Sequence, residues 1–194
     1  ELCFLHCFTS GEEHLFAEMS CEATRKAVFF GPRHVPVGKS TVIKSIALGR
    51  RIEDGERRRI SPTTGLETTM LNALVDQTSF VRIQSLDTVM NTFQHSLRTA
   101  QGCAVQIYVF DLSNPLSLET LMQGFMYEFI KHPHGNARRL LVGLKQDKKL
   151  GKDLSNRAMQ FAVENRLFYL ECSSHTGYNI ALLSRLIVLL SFPI

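Results

Sequence analysis

The sequence contains no apolar run near the roughly 20 residues that a helix needs to cross a bilayer. The longest apolar stretch towards its end, Leu182 to Phe192, is broken by Ser184, Arg185 and Ser191. Features of a secretory leader are also missing. Leu2 to Phe8 is apolar, but Glu1 is acidic, no basic segment precedes the run and no clear small-residue cleavage site follows it, so secretion is not expected. No sign of charge dominates. Twenty-two basic against 18 acidic residues leave a net charge of +4, which permits contact with an acidic surface but does not call for nucleic acid. The one dense basic cluster, Arg50, Arg51 and Arg57 to Arg59, reads as a solvated loop. The five cysteines are odd in number and their spacing fits no zinc template. Cys103 and Cys172 fall in runs that read as buried strands, as expected for reduced structural thiols in a cytosolic protein. There is no defensible Ser-His-Asp constellation. His132-Pro-His134 has no third ligand nearby and reads as loop. Repeats, low complexity and linkers are absent too, so one domain is expected.

What is present alternates between two periodicities. Lys26-Ala-Val-Phe-Phe30 is an apolar strand stopping at Gly31, and Thr41 to Leu48 has helical spacing with Gly49 as a stop. Arg50 to Pro62 is polar and reads as loop. Thr68 to Val75 and Phe80 to Leu86 form a hairpin around Asp76 to Ser79. Further strands are expected at Cys103–Phe110, Arg139–Leu144 and Leu167–Cys172. Helices are expected from Ser113 or Asn114 with Pro115 to about Ile130, over Ser155–Asn165, and over Tyr178–Leu190. The order β-α-ββ-α-β-α-β-α-β-α, with parallel crossovers and one antiparallel hairpin, implies a doubly wound α/β sandwich. Met19-Ser20 begins an ordinary start for such a domain. Residues 1–18 are therefore expected to be an N-terminal extension, with the domain over 19–194. In that extension, Phe4, Phe8 and Phe16 suit either docking on a partner or internal packing.

Four motifs carry chemistry. Gly38-Lys39-Ser40-Thr41 lies between a strand and a helix, the context in which backbone N–H groups cradle phosphates. Lys39 would bridge the β- and γ-phosphates, and the Ser40 hydroxyl would ligate Mg²⁺. The loop departs from the usual pattern: six residues separate Gly31 from Gly38, Arg33 stands where the first Gly is expected, and Pro36 lacks an N–H. Asp87 closes a strand, where a carboxylate reaches a metal directly or through water. Lys145-Gln-Asp147 follows another strand. There Asp147 could accept the N1 and N2 protons of guanine, which adenine does not offer, while the Lys145 stem packs on the base. Cys172-Ser173-Ser174-His175 follows the next strand and could turn backbone amides towards the guanine O6.

Taken in order, these segments resemble the nucleotide-binding boxes of the Ras superfamily of small GTPases, most nearly those of Rab proteins. The likeness runs from Lys26 to Leu190. Pro62-Thr63-Thr64-Gly65 resembles the switch I Pro-Thr-Ile/Val-Gly, with Thr63 at the metal-binding Thr. Asp87-Thr88 resembles the start of Asp-Thr-Ala-Gly. Val109-Phe-Asp-Leu-Ser-Asn-Pro115 resembles the Rab-type Tyr-Asp-Val-Thr-Asn. Leu141-Val-Gly-Leu-Lys-Gln-Asp147 resembles Leu-Val-Gly-Asn-Lys-x-Asp, and Glu171-Cys-Ser-Ser-His-Thr-Gly177 resembles Glu-Thr-Ser-Ala-Lys-Thr-Gly.

The resemblance implies a P-loop G domain with a mostly parallel six-stranded sheet, one antiparallel hairpin and helices on both faces. It implies GTP or GDP with Mg²⁺, held by Gly38, Lys39, Ser40, Thr41, Thr63, Asp87, Lys145, Asp147, Ser173, Ser174 and His175. It also implies effectors and regulators that read switch I (about 50–66) and switch II (about 87–100), in vesicle trafficking or signalling. No nucleic acid is implied. The location would be cytoplasmic, reaching the cytosolic face of a membrane only through a lipid or a partner. Four positions depart from the family. Met90 replaces the switch II Gly, Asn91 stands at the catalytic Gln position, Leu144 replaces the guanine-box Asn, and His175 replaces a Lys. These changes imply slow hydrolysis at best. A pseudo-GTPase serving as an interaction subunit is the alternative. A small nucleotide kinase would need a lid rich in catalytic Arg; Arg50 to Arg59 could mimic one, but Lys145-Gln-Asp147 in register argues for guanine.

Overall fold

The structure, a computed structural model, describes residues 20–32, 35–60, 66–74, 79–88, 98–126 and 136–192. Residues 1–18, Arg33, Thr63, Met90, Asn91, His132 and His134 lie outside the described residues, as does the greater part of switch II.

The central strand β1 (Ser20–Phe30) owes its place to its last four residues. Ala27, Val28, Phe29 and Phe30 are all fully buried, so neither face of this segment tolerates water. Alternate residues point to opposite faces of a strand, and the core divides accordingly. Ala27 and Phe29 join the cluster under α1 (Lys39–Leu48) and α5 (Ile180–Ser191). Val28 and Phe30 join the cluster under α3 (Pro115–Thr120) and α4 (Asp153–Glu164). Helices therefore cover both faces of the sheet.

The sheet has six strands in the order β2-β3-β1-β4-β5-β6, where β2 is Leu66–Leu74, β3 Ser79–Thr88, β4 Val105–Asp111, β5 Arg138–Leu144 and β6 Phe168–Glu171. Only β2 and β3 pair antiparallel; the other neighbours are parallel. This is the expected mostly parallel sheet with one hairpin.

Three local outcomes differ from the sequence reading. β1 starts at Ser20, six residues before Lys26, because its polar first half pairs with β3 from Ser20 opposite Ser79. The segment Arg50 to Pro62 is not all loop: Asp54–Arg57 forms a short helix, α2. The helix expected to run to about Ile130 is α-helical only over Pro115–Thr120 and widens to a π turn over Leu121–Met126. Its start is as expected, with the Asn114 side chain accepting from Leu116 N and Pro115 in the first turn.

The order of strands positions the site. β1 lies between β3 and β4, so the chain leaving β1 turns over the point where crossovers diverge. Phe29 pairs with Asp87 on one side and with Ile107 on the other. In register, the carboxyl ends of β1, β3, β4 and β5 thus present the Gly31–Gly38 segment, Asp87, Asp111 and Lys145 to one rim of the sheet. Among the described residues, no helix is long and apolar enough to cross a membrane.

Candidate nucleotide site

At this rim the chain enters α1 through Gly38, whose φ of 101° and ψ of 30° are left-handed. A side chain is strained in that conformation, which accounts for glycine before Lys39. The N-cap Gly38 offers no side chain to cap α1, whose first backbone N–H groups have no partner within the helix ladder. Gly31, at the start of the turn, is closely packed: a Cβ there would sit 3.2 Å from side-chain atoms of Lys39, Val37 and Val109.

Lys39 and Ser40 both turn to Asp87. The Lys39 Nζ lies 3.8 Å from Asp87 Oδ1, and the Ser40 hydroxyl donates to Asp87 Oδ2. Asp87 is buried, with 3% of its surface exposed. A hydroxyl from the first turn of α1 and a carboxylate from the end of β3 therefore meet at one point. Both are hard oxygen donors, the kind that Mg²⁺ takes, and one or two protein oxygens plus phosphates suffice for that ion. Among the described residues no group of three or more His, Cys, Asp and Glu side chains is placed to hold a metal. A cation at Ser40 and Asp87 would draw its remaining ligands from elsewhere.

The second part of the site is built on β5 and β6. Lys145 leaves β5 in the left-handed region, with φ of 58°. Its ammonium donates to Asp111 Oδ2 at 2.6 Å and to the Pro36 carbonyl at 3.3 Å. One lysine thereby ties the end of β4 to the segment leading into α1. Asp111 is itself buried and accepts from Ser113 N at 2.8 Å and Ser113 Oγ at 2.6 Å. Asp147 is exposed, in the turn Gln146–Lys148, and accepts the Ser173 hydroxyl on Oδ1. Ser173 Oγ also accepts from the backbone N–H groups of His175 and Thr176, each at 3.2 Å. The Ser173 hydroxyl thus holds Asp147 and the turn after β6 in one arrangement.

Leu144 clarifies how the loop manages without Asn. It is buried and packs in the core cluster that also contains Val37 and Cys172. The two loops are joined instead through the backbone: Cys172 N donates to Gly143 O at 2.8 Å, and Gln146 N to Cys172 O at 3.1 Å. Burial in this apolar setting pushes the Cys172 thiol up to about 12, so it stays a neutral packing group. Glu171 braces the same region. Burial raises its pKa, but hydrogen bonds from Lys149 and Tyr169 help to outweigh that and hold it below the usual carboxylate range.

One cavity of about 240 Å³ joins both parts. Gly38 and Thr41 line it from α1, and Leu144, Lys145 and Asp147 from β5 and the turn after it. Ser173, Ser174 and His175 line it from the turn after β6. All five expected base-side residues therefore share one cavity with the end of the phosphate loop, while Lys39, Ser40 and Asp87 meet beside it. Sequence reading missed two participants. Asp111 is the buried partner of Lys145, a contact between residues 34 apart that no local pattern signals. Arg57 also lines the cavity, which corrects its reading as part of a solvated loop.

The Ras family model matches residues 33–188, which is most of the chain. The chain belongs to the Ras family. Two similar relatives bear the name Ras-related protein Rab-1, from Theileria parva and Theileria annulata. Each is 24% identical over 149 residues, an alignment covering 75% of this chain and 67% of the relative. The likeness to Rab members is thus distant but extends over three quarters of the sequence. Family membership implies guanine-nucleotide binding and, in general terms, regulator and effector partners.

Proposed function

We propose that this Ras-family chain is a guanine-nucleotide switch that binds GTP and GDP with Mg²⁺ and hydrolyses GTP slowly. The observation that carries the reading is the shared cavity: Gly38 and Thr41, which bracket Lys39 and Ser40, line it together with Asp147 and Ser173. Phosphate-binding and base-binding elements thus face one space.

In this reading the phosphates lie at the start of α1, where the first-turn N–H groups and the helix dipole favour anions. Lys39 supplies the side-chain cation. Ser40, Asp87 and Thr63 supply oxygens to Mg²⁺, whose chemistry is to neutralise charge on the phosphates. Asp147, steadied by Ser173, accepts the N1 and N2 protons of guanine and so disfavours adenine. Ser174 and His175 lie beside the base, and Lys145 holds the phosphate segment and base loop together through Asp111 and Pro36. Thr63 would order the rest of switch I when the γ-phosphate is present and release it when the phosphate is lost. Partners that read 50–66 and 87–100 would sense that difference. Residues 1–18 form an extension outside this domain, and the protein works in the cytoplasm, meeting membranes only through a lipid or a partner. Vesicle trafficking or signalling is the process that fits a Rab-like member.

Isothermal titration with GDP tests the reading. The intact protein is expected to bind, and Lys39→Ala to lose binding, because Lys39 brings an ammonium to within 3.8 Å of Asp87, where Ser40 also donates. Unchanged affinity in Lys39→Ala would remove the phosphate-loop assignment.

A further inference from the structure

The short helix α2 and the residues leading into it meet the base loop at two places. Ile52 N donates to Ser174 O at 2.8 Å, and the Ile52 side chain is 2% exposed. Asp54 Oδ1 lies 3.7 Å from His175 Nδ1. The helix is also internally braced. Glu53 and Glu56 form a reciprocal capping box, and Arg50 makes a two-point pair with Glu56 at 2.8 and 2.9 Å. That guanidinium, followed by the Glu53 N–H, pulls the Glu56 carboxyl down to about 2. Arg50 is thus occupied in holding the helix, and Arg57 is the arginine of this segment that reaches the cavity. Among the described residues its ion pair is with Asp54, three residues earlier; it is long at 4.0 Å, and the Arg57 side chain is 36% exposed.

We propose that Arg57 is a nucleotide-binding residue that lays its guanidinium over the guanine base. The inference rests on the reading of the cavity as a guanine-nucleotide site. Its direction comes from placement: Ile52 and Asp54 hold the α2 segment to Ser174 and His175 of the base-side loop, whereas Lys39, on the phosphate side, meets Asp87 beside the cavity. A planar guanidinium stacks on an aromatic face, and purines are stacked by arginine planes in this way. A lysine in its place keeps the charge but loses the plane.

The test measures affinity and dissociation of GDP and GMP for the intact protein and for Arg57→Ala, Arg57→Lys and Lys39→Ala. Stacking predicts that Arg57→Ala weakens GDP and GMP alike, each about tenfold, mainly through faster dissociation, and that Arg57→Lys restores little. The melting temperature without nucleotide should stay within a degree or two, since the side chain is part-exposed and weakly paired. Two results overturn the proposal. One is unchanged affinity in Arg57→Ala while Lys39→Ala loses binding, which leaves the nucleotide site standing without Arg57. The other is a loss confined to GDP and rescued by lysine, which makes Arg57 a phosphate contact. If the intact protein binds neither nucleotide, the site reading itself has failed, and the proposal falls with it.

Discussion

Glu171 concentrates several constraints in one side chain. Its Oε1 accepts the Tyr169 hydroxyl at 2.9 Å, its Oε2 accepts Lys149 Nζ at 2.9 Å, and its backbone carbonyl accepts Asn179 Nδ2 at 2.9 Å. The strand therefore hands over to the turn carrying Ser173 from a fixed point. Because the folded-state pKa of Glu171 is depressed, the unfolded chain takes up its proton first on acidification. Its contribution to stability is full above the ordinary glutamate value of 4.5 and is lost as pH falls below it through the folded value. Glu171→Gln is expected to lower stability at pH 7 by about 1 kcal/mol and to flatten that part of the acid limb. Denaturant unfolding of both proteins at pH 7 and pH 4 checks this. An equal loss at the two pH values would mean that the carboxylate charge does not matter.

At the scale of elements, β5 shows how tightly strand and loop are fitted. Gly143 sits between β4 and β6, and a Cβ there would lie 2.9 to 3.1 Å from three carbons of Leu112, a fully buried side chain. Gly143→Ala forces Leu112 to move within a closed core, and overpacking of this kind costs about 1–3 kcal/mol. Thermal unfolding should show a clearly lower melting temperature. A melting temperature equal to that of the native protein would mean that Leu112 has room to turn. Elements of this kind are the ones that sequence patterns reveal. β4 and the apolar end of β1 are buried on both faces, so their continuous apolar runs read directly as strands. α2 escaped because four polar residues, Asp-Gly-Glu-Arg, contain no hydrophobic period. Its helix depends on the Glu53–Glu56 box and on docking to Ser174, a contact between distant parts of the chain. The first half of β1 escaped for a related reason: backbone pairing to β3 holds a segment whose side chains are mostly exposed.

The whole molecule follows the topology of its family, and its candidate site follows from that topology. Motif order made Lys39, Ser40, Asp87, Asp147 and Ser173 legible, because a strand, a loop and a helix in sequence dictate where their junctions gather. Asp111 and Arg57 were not legible, since each acts through packing across the fold. The same logic bears on turnover. Catalysis by such a fold is positioning of water and stabilisation of charge on the γ-phosphoryl group. Asn91, expected at the Gln position, is one methylene shorter than Gln, so its amide would fall roughly 1.5 Å short of where Gln acts. A misplacement of about 1 Å can cost on the order of a hundredfold in rate. Met90, expected at the switch II Gly position, would add a side chain where glycine lets the loop approach. Single-turnover hydrolysis should be slower in the native protein than in a Met90→Gly, Asn91→Gln double variant. Equal rates would mean that another residue places the water.

The central claim is that the cavity between α1, the Lys145–Asp147 turn and the Ser173–His175 turn holds a guanine nucleotide. Its most direct test is mass spectrometry of the nucleotide that accompanies the protein through gentle purification in the presence of Mg²⁺. GDP or GTP is expected at substantial occupancy, lost in Lys39→Ala. A protein that carries an adenine nucleotide, or none at all, would contradict it.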